Sequence, residues 1–106
     1  MNMAEYIISI FKYYLPIVMS WGYHNPVAIK DGLRFSVQGF VHTGEVEVIY
    51  DAGPDLFRVR ILNKDGSVKQ EEEDIFLDCL VDTIDRLVEK TDDYVSRINK
   101  EYGWTD

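Results

Sequence analysis

The N-terminal segment has a pattern of polar and apolar positions that predicts an amphipathic helix. Asn2 followed by Glu5 is typical of a helix start, because the Asn side chain accepts a hydrogen bond from an exposed backbone N–H. Polar positions then recur at helical spacing in one narrow stripe, Glu5, Ser9, Lys12, Pro16 and Ser20. The remaining apolar surface is wider than one contact with a sheet requires. Pro16 disfavours helical geometry at the preceding residue, so we expect the helix to end or kink there.

The middle of the chain alternates between apolar and polar residues, which predicts β-strands. The alternating segments are 33–41, 45–50 and 56–62, with a polar strand expected at 67–72 and a short edge strand at 27–29. Turn residues separate these short segments, and this favours an antiparallel meander of three to five strands. On its outer face we expect Glu45 and Glu47 to pair with the arginines of the next strand.

From about Asp74 the apolar period changes from two to 3.6, which predicts a C-terminal helix. Cys79 falls in this apolar pattern, so we expect it in the core. One continuous helix to Tyr102 would be longer than about 40 Å, which exceeds the span of a small sheet. A break or bend between Lys90 and Asp92, giving a helix pair, is therefore the favoured interpretation.

These elements together predict the fold class. We expect a two-layer α+β fold with an N-terminal helix, an antiparallel meander, and a C-terminal helix or helix pair packed on one sheet face. The chain has 106 residues without an evident linker or repeat, so residues 1–106 should form a single domain. Its 46% hydrophobic and 13% aromatic content argues against intrinsic disorder.

The net charge of −8 is concentrated at one end of the chain. From Glu71 to Asp106 there are twelve acidic and four basic residues, whereas the preceding residues balance. Binding to nucleic acid requires clustered lysines and arginines, so we expect no nucleic-acid partner. An acidic end can instead attract a basic protein.

The cysteine content and the N-terminal helix bear on the compartment. A single cysteine excludes an intrachain disulfide and suits a reducing cytosol, so we expect a cytoplasmic protein. The apolar stretch 6–19 lacks the basic flank of a signal peptide, and it is too short to cross a bilayer. We therefore expect no membrane role.

An aromatic loop after the first helix is the first candidate site. Trp21, Tyr23 and His24 stand close together, and such side chains can line a ligand or partner pocket. The alternative is that Trp21 and Tyr23 only pack between the first helix and the sheet. His42 follows a predicted strand and is expected on the surface. The two histidines lack the spacing of metal ligands, so we predict no metal site.

The second candidate is an acidic face on the C-terminal helix. Its carboxylates follow helical spacing at Asp78, Asp82, Asp85 and Glu89. Arg86 lies four residues after one of them and offsets part of the charge. The face is either a solvated surface or a docking site for a basic partner.

The sequence contains none of the common catalytic or nucleotide-binding motifs, so we assign no catalytic residue and expect no cofactor. The leading hypothesis is a non-enzymatic protein–protein interaction module that acts as an adaptor, inhibitor or regulator. The broad apolar face of the first helix also allows a homodimer. The alternative is a small-molecule-binding domain or small enzyme with its pocket near Trp21, Tyr23 and His24.

Overall fold

The computed structural model describes residues 2–89. Its N-terminal helices and its C-terminal helix pack on one face of a five-stranded antiparallel sheet, so the predicted two-layer α+β fold is confirmed. The helices are α1 (Met3–Lys12), α2 (Leu15–Ser20) and α3 (Leu80–Val88), with a 3-10 turn at Leu77–Cys79. The strands are β1 (His24–Ile29), β2 (Gly32–Gln38), β3 (Thr43–Asp51), β4 (Leu56–Leu62) and β5 (Val68–Ile75). The break expected near Lys90 lies outside the described residues.

The N-terminal segment forms two helices that are separated close to Pro16. Asn2 Oδ1 accepts a hydrogen bond from the Glu5 backbone N–H at 2.8 Å, as the sequence predicts. Helix α1 ends at Lys12, and Pro16 lies in the first turn of α2. The backbone N–H groups in the first turn of a helix have no hydrogen-bond partner within that helix. Proline, which lacks an N–H, is therefore tolerated there. The proline therefore helps to start a second helix.

The five strands are ordered in the sheet as they are in the chain, and each pair is antiparallel. Alternate residues of the strands face the helices and form the core. The buried strand residues are Leu33, Phe35, Val37, Val46, Val48, Phe57, Val59, Ile61 and Ile75. Ile7 and Phe11 of α1, and Ile84 of α3, close this core from the helical side.

The outer sheet face carries ion pairs between neighbouring strands. Glu47 is only 8% exposed, and its carboxylate lies 2.8 Å from Arg34 and 3.8 Å from Arg60. The predicted pairing with β4 is therefore confirmed for Glu47. Arg58 pairs instead with Asp51, at 3.0 Å, because the register places it opposite an apolar residue of β3.

Both edge strands of the sheet are irregular. Strand β1 contains Pro26, and its pairing with β2 shifts between His24 and Val27. Strand β5 has two register shifts along β4 and carries the acidic run 71–74, where Asp74 has a φ of 57°. Neither edge therefore presents an uninterrupted row of backbone N–H and C=O groups with which another strand could pair.

The connection between β5 and α3 differs from the prediction. Ile75 pairs with Phe57 as part of β5, and α3 begins at Leu80, several residues later than expected. Phe76 lies in the connection and is 62% exposed, and Cys79 is exposed rather than in the core. The pairing of β5 with β4 continues into residues whose apolar spacing also suits a helix. The start of α3 is therefore later in the chain than the sequence predicts.

The loop between β2 and β3 is anchored on the end of α3. The backbone N–H groups of Val41 and His42 donate to the Val88 carbonyl, at 2.8 and 3.2 Å. A Cβ atom on Gly39 would lie 2.3 Å from the same oxygen, so only glycine allows this close approach. The predicted exposure of His42 is wrong: because the loop lies against α3, this residue is 5% exposed.

The buried His42 should make the stability depend on pH. Burial lowers the pKa of its imidazole below 6.5, the nearby Lys69 charge lowers it further, and a hydrogen bond with the Glu45 carbonyl opposes them. Because the folded-state pKa is depressed, the unfolded chain binds the proton more readily. Its contribution to folding stability is therefore complete above about pH 6.5 and is lost as the pH falls towards the folded-state pKa.

We expect His42→Gln to reduce the loss of unfolding free energy between about pH 7 and pH 5, measured by urea denaturation at each pH. His24→Gln, at an exposed histidine, is the matched control and should leave the wild-type dependence unchanged. Parallel pH profiles for His42→Gln and the wild type would contradict the assignment.

Candidate functional site

Trp21, the first residue of the predicted pocket, belongs to the core. Its side chain is fully buried, and the indole N–H donates to an Asp85 carboxylate oxygen at 2.9 Å. Its ring stacks on Phe35, with 6.4 Å between centroids, and meets Phe11 edge to face at 5.9 Å. The residue thus fastens α2, the sheet and α3 together.

Tyr23 and His24 lie on either side of the boundary between core and solvent. Tyr23 is half-buried, its ring packs on Phe11 and Phe35, and burial raises the pKa of its phenol. His24 is exposed, with Nδ1 2.6 Å from the Gly22 carbonyl. It lines a shallow cavity of about 300 Å³ beside β2 and β3. Two of the three residues thus support the joint between helix and sheet, while His24 faces this cavity.

The four carboxylates of the predicted acidic face have two different environments. Asp78 and Asp82 are exposed. Asp85 accepts from the Trp21 indole, and Glu89 Oε2 accepts from the Phe40 backbone N–H at 3.0 Å. The second pair therefore ties α3 to the rest of the fold, which leaves Asp78 and Asp82 as the more accessible acids of this face.

A larger concave surface lies along α1, where it faces the β3–β4 turn and the β5–α3 connection. It consists of two cavities that both have Leu77 in their walls, and we call the whole surface the aromatic groove. The first, the Asp55 cavity, measures about 450 Å³ and is lined mainly by Met3, Tyr6, Tyr50, Asp55, Phe57 and Leu77. The second, the Asp78 cavity, measures about 490 Å³ and is lined by Ile10, Tyr13, Tyr14, Leu77 and Asp78.

Aromatic and aliphatic side chains of the aromatic groove remain accessible to solvent. Tyr13 is 86% exposed and Leu77 is 44% exposed, while Tyr6 and Tyr14 are also exposed. This arrangement follows from the apolar surface of α1, which is too wide for the sheet alone to cover. Of the described residues that line the two cavities, Asp55 and Asp78 are the charged ones, and both are acidic.

One hydrogen bond organises the Asp55 cavity. The Tyr50 hydroxyl donates to Asp55 Oδ1 across the β3–β4 turn, and this bond raises the pKa of the Tyr50 phenol. Asp55 has a φ of 60°, a left-handed conformation that aspartate adopts more readily than most residues. The turn and the hydrogen bond together hold the carboxylate at the cavity wall.

Sequence reasoning missed the aromatic groove because distant segments build it. Tyr6 comes from α1, Tyr50 and Phe57 from β3 and β4, and Leu77 from the 3-10 turn. The excess apolar surface on the first helix was the available signal. It identified one wall of the groove, but tertiary packing determines the opposite wall.

Comparisons of this chain with protein-family models, curated proteins and solved structures give no match. No helix within residues 2–89 has both the length and the hydrophobicity needed to cross a membrane. Over the same residues, no three His, Cys, Asp or Glu side chains converge where they could hold a metal ion. The functional proposal therefore rests on the shape and chemistry of the surface.

Proposed function

We propose that this protein is a non-enzymatic protein–protein interaction module that binds a segment of a partner protein in the aromatic groove. The observation that carries the proposal is the accessible aromatic and aliphatic lining of two adjoining cavities. Exposed apolar surface of this kind is costly in water and marks sites where another molecule excludes the water.

The form of the groove favours a chain segment as the occupant. Its lining includes Met3 near the start of α1 and Tyr13 just after its end, so the groove follows a helix of about 15 Å. Two successive cavities along such a helix suit apolar side chains spaced along a peptide. An amphipathic segment that places its apolar side in a groove is a common form of peptide recognition.

The charge of the groove favours a partner with basic residues. Within residues 2–89, the charged residues of the groove are Asp55 and Asp78, both negative, and the whole chain has a net charge of −8. Complementary charge accelerates association and selects among partners. A second copy of this chain would bring the same negative charge, which disfavours a homodimer through this surface.

A phage-displayed library of random peptides provides a direct test. We expect the selected peptides to combine apolar residues with lysine or arginine. Leu77→Asp should weaken their binding at least about tenfold, because it removes apolar contact surface from the wall shared by both cavities and puts there a carboxylate that loses its hydration when the apolar residues of a peptide bind. Affinity is measured by fluorescence anisotropy with a labelled selected peptide.

Val68→Asp is the matched control for this experiment. Val68 is 51% exposed on the edge strand β5, so the same change of charge occurs at similar exposure away from the groove. Equal weakening by the two variants, or selection of no binding peptide, would contradict the proposal. So would a solution dimer, detected by sedimentation, that Leu77→Asp dissociates.

A further inference from the structure

Within residues 2–89, three aromatic side chains line the Asp55 cavity. Tyr50 and Phe57 are directly opposite each other on β3 and β4, with ring centroids 5.5 Å apart and planes inclined by 58°. Tyr6 of α1 completes the set, and its phenol is close enough to affect the ionisation of Tyr50. The faces of aromatic rings carry partial negative charge and attract cations.

A carboxylate in the same wall adds a full negative charge. Asp55 accepts a hydrogen bond from the Tyr50 hydroxyl, but within residues 2–89 it forms no ion pair with a basic side chain. Among the described residues that line this cavity there is no lysine, arginine or histidine. Within residues 2–89, therefore, no basic side chain balances the negative charge at this end of the aromatic groove.

From these observations we infer that the Asp55 cavity binds the side-chain ammonium group of a lysine from the partner protein. The inference rests on the proposed function, since it names the residue type that the aromatic groove recognises. The ammonium group would lie against the rings and the carboxylate, where the two attractions act on one charge. The aliphatic stem of the lysine would lie along Met3 and Leu77, which also line the cavity.

The hydrogen bond at Asp55 favours lysine over arginine. A guanidinium group binds a carboxylate best through two parallel hydrogen bonds, one to each oxygen. Asp55 Oδ1 already accepts from the Tyr50 hydroxyl, so this two-point geometry competes with an existing bond. An ammonium group is a compact charge that needs only one oxygen and can still contact the rings.

Small reference compounds test the inference independently of any peptide. The probes are the N-acetyl methylamides of lysine, arginine and norleucine, the last having an uncharged side chain. Binding to the full chain is followed by NMR through the backbone amide signals of Tyr6, Tyr50 and Asp55. We expect saturable shifts with the lysine compound, and an affinity about tenfold higher than that of the norleucine compound.

Asp55→Asn is the decisive variant, because asparagine also tolerates a positive φ and can accept the Tyr50 hydrogen bond. It should abolish the preference for lysine over norleucine. Asp65→Asn makes the same change at an exposed residue of the β4–β5 turn, at the far end of β4 from Phe57, and should preserve the preference. Equal binding of lysine and norleucine, unchanged preference in Asp55→Asn, or tighter binding of arginine would overturn the inference.

The outcomes separate this inference from the proposed function. Library peptides that bind in the groove without a basic residue, and independently of Asp55, would preserve the interaction module and overturn the lysine site. A lysine compound that binds through Asp55, while the library yields no groove-binding peptide, would preserve the cation site and contradict the interaction module.

Discussion

Replacing Trp21 by alanine is expected to lower the free energy of unfolding by about 3–5 kcal/mol, the usual cost of removing a buried aromatic side chain. The substitution removes ring contacts with Phe11 and Phe35 and the indole hydrogen bond to Asp85. A domain of this size has a total stability of about 5–15 kcal/mol, so the loss is a large fraction of it. Urea denaturation followed by circular dichroism measures the change without relying on tryptophan fluorescence.

Trp21→Phe separates the two contributions. Phenylalanine retains an aromatic ring in the core but lacks the N–H donor, so we expect a smaller loss of about 1–3 kcal/mol. Tyr13→Ala is the control, because Tyr13 is 86% exposed and its removal should change stability by less than about 0.5 kcal/mol. If Trp21→Ala cost no more than Tyr13→Ala, Trp21 would not be the structural anchor described above.

The second large effect is expected for Gly32→Ala. Gly32 is buried at the start of β2, where it pairs with Ile49 of β3, and an added Cβ would lie 2.0 Å from the Val48 carbonyl oxygen. Neither backbone can move aside without disturbing the hydrogen bonds between β2 and β3. We expect a loss of about 3 kcal/mol in unfolding free energy, at the upper end of the usual cost of overpacking.

Gly53→Ala is the matched control for this change. Apart from Gly53 and its two neighbours in the chain, no heavy atom of residues 2–89 lies within 4 Å of a Cβ built at Gly53, and its φ is not positive. Alanine there should be neutral or stabilise the fold by up to about 1 kcal/mol, because it reduces the freedom of the unfolded chain. Equal midpoints of urea denaturation for the two variants would show that the close approach at Gly32 is not important.

The fold was largely predictable because local patterns agree with tertiary packing. Alternation in β2, β3 and β4 identified the buried residues, and turn residues separated strands that pair with their neighbours in sequence. The prediction was wrong at the junction after β5, where the spacing of Phe76 and Cys79 also suits a helix. There, Ile75 pairs with Phe57 and so belongs to β5 rather than to the helix. The two residues are far apart in the sequence, so local patterns do not reveal this contact.

The site was less predictable, because its properties depend on which side chains have partners in the fold. Asp82 and Asp85 look alike on a helix, but only Asp85 lies near enough to receive the Trp21 indole N–H. Likewise, Asp55 lies in a turn sequence that has no unusual feature. Its place beside Tyr6 and Tyr50 in one cavity results from tertiary packing. The spacing of residues in the sequence predicts neither the hydrogen bond to Asp85 nor the surroundings of Asp55.

The irregular edges of the sheet affect how this protein can assemble with others. Pro26 lacks an N–H on β1, and the two register shifts of β5 interrupt the row of backbone groups that a further strand would need. A foreign chain therefore cannot easily extend the sheet by strand addition, and copies of the protein should resist edge-to-edge polymerisation even when concentrated. A partner segment that binds as proposed would therefore contact side chains of the aromatic groove rather than backbone amides at a sheet edge.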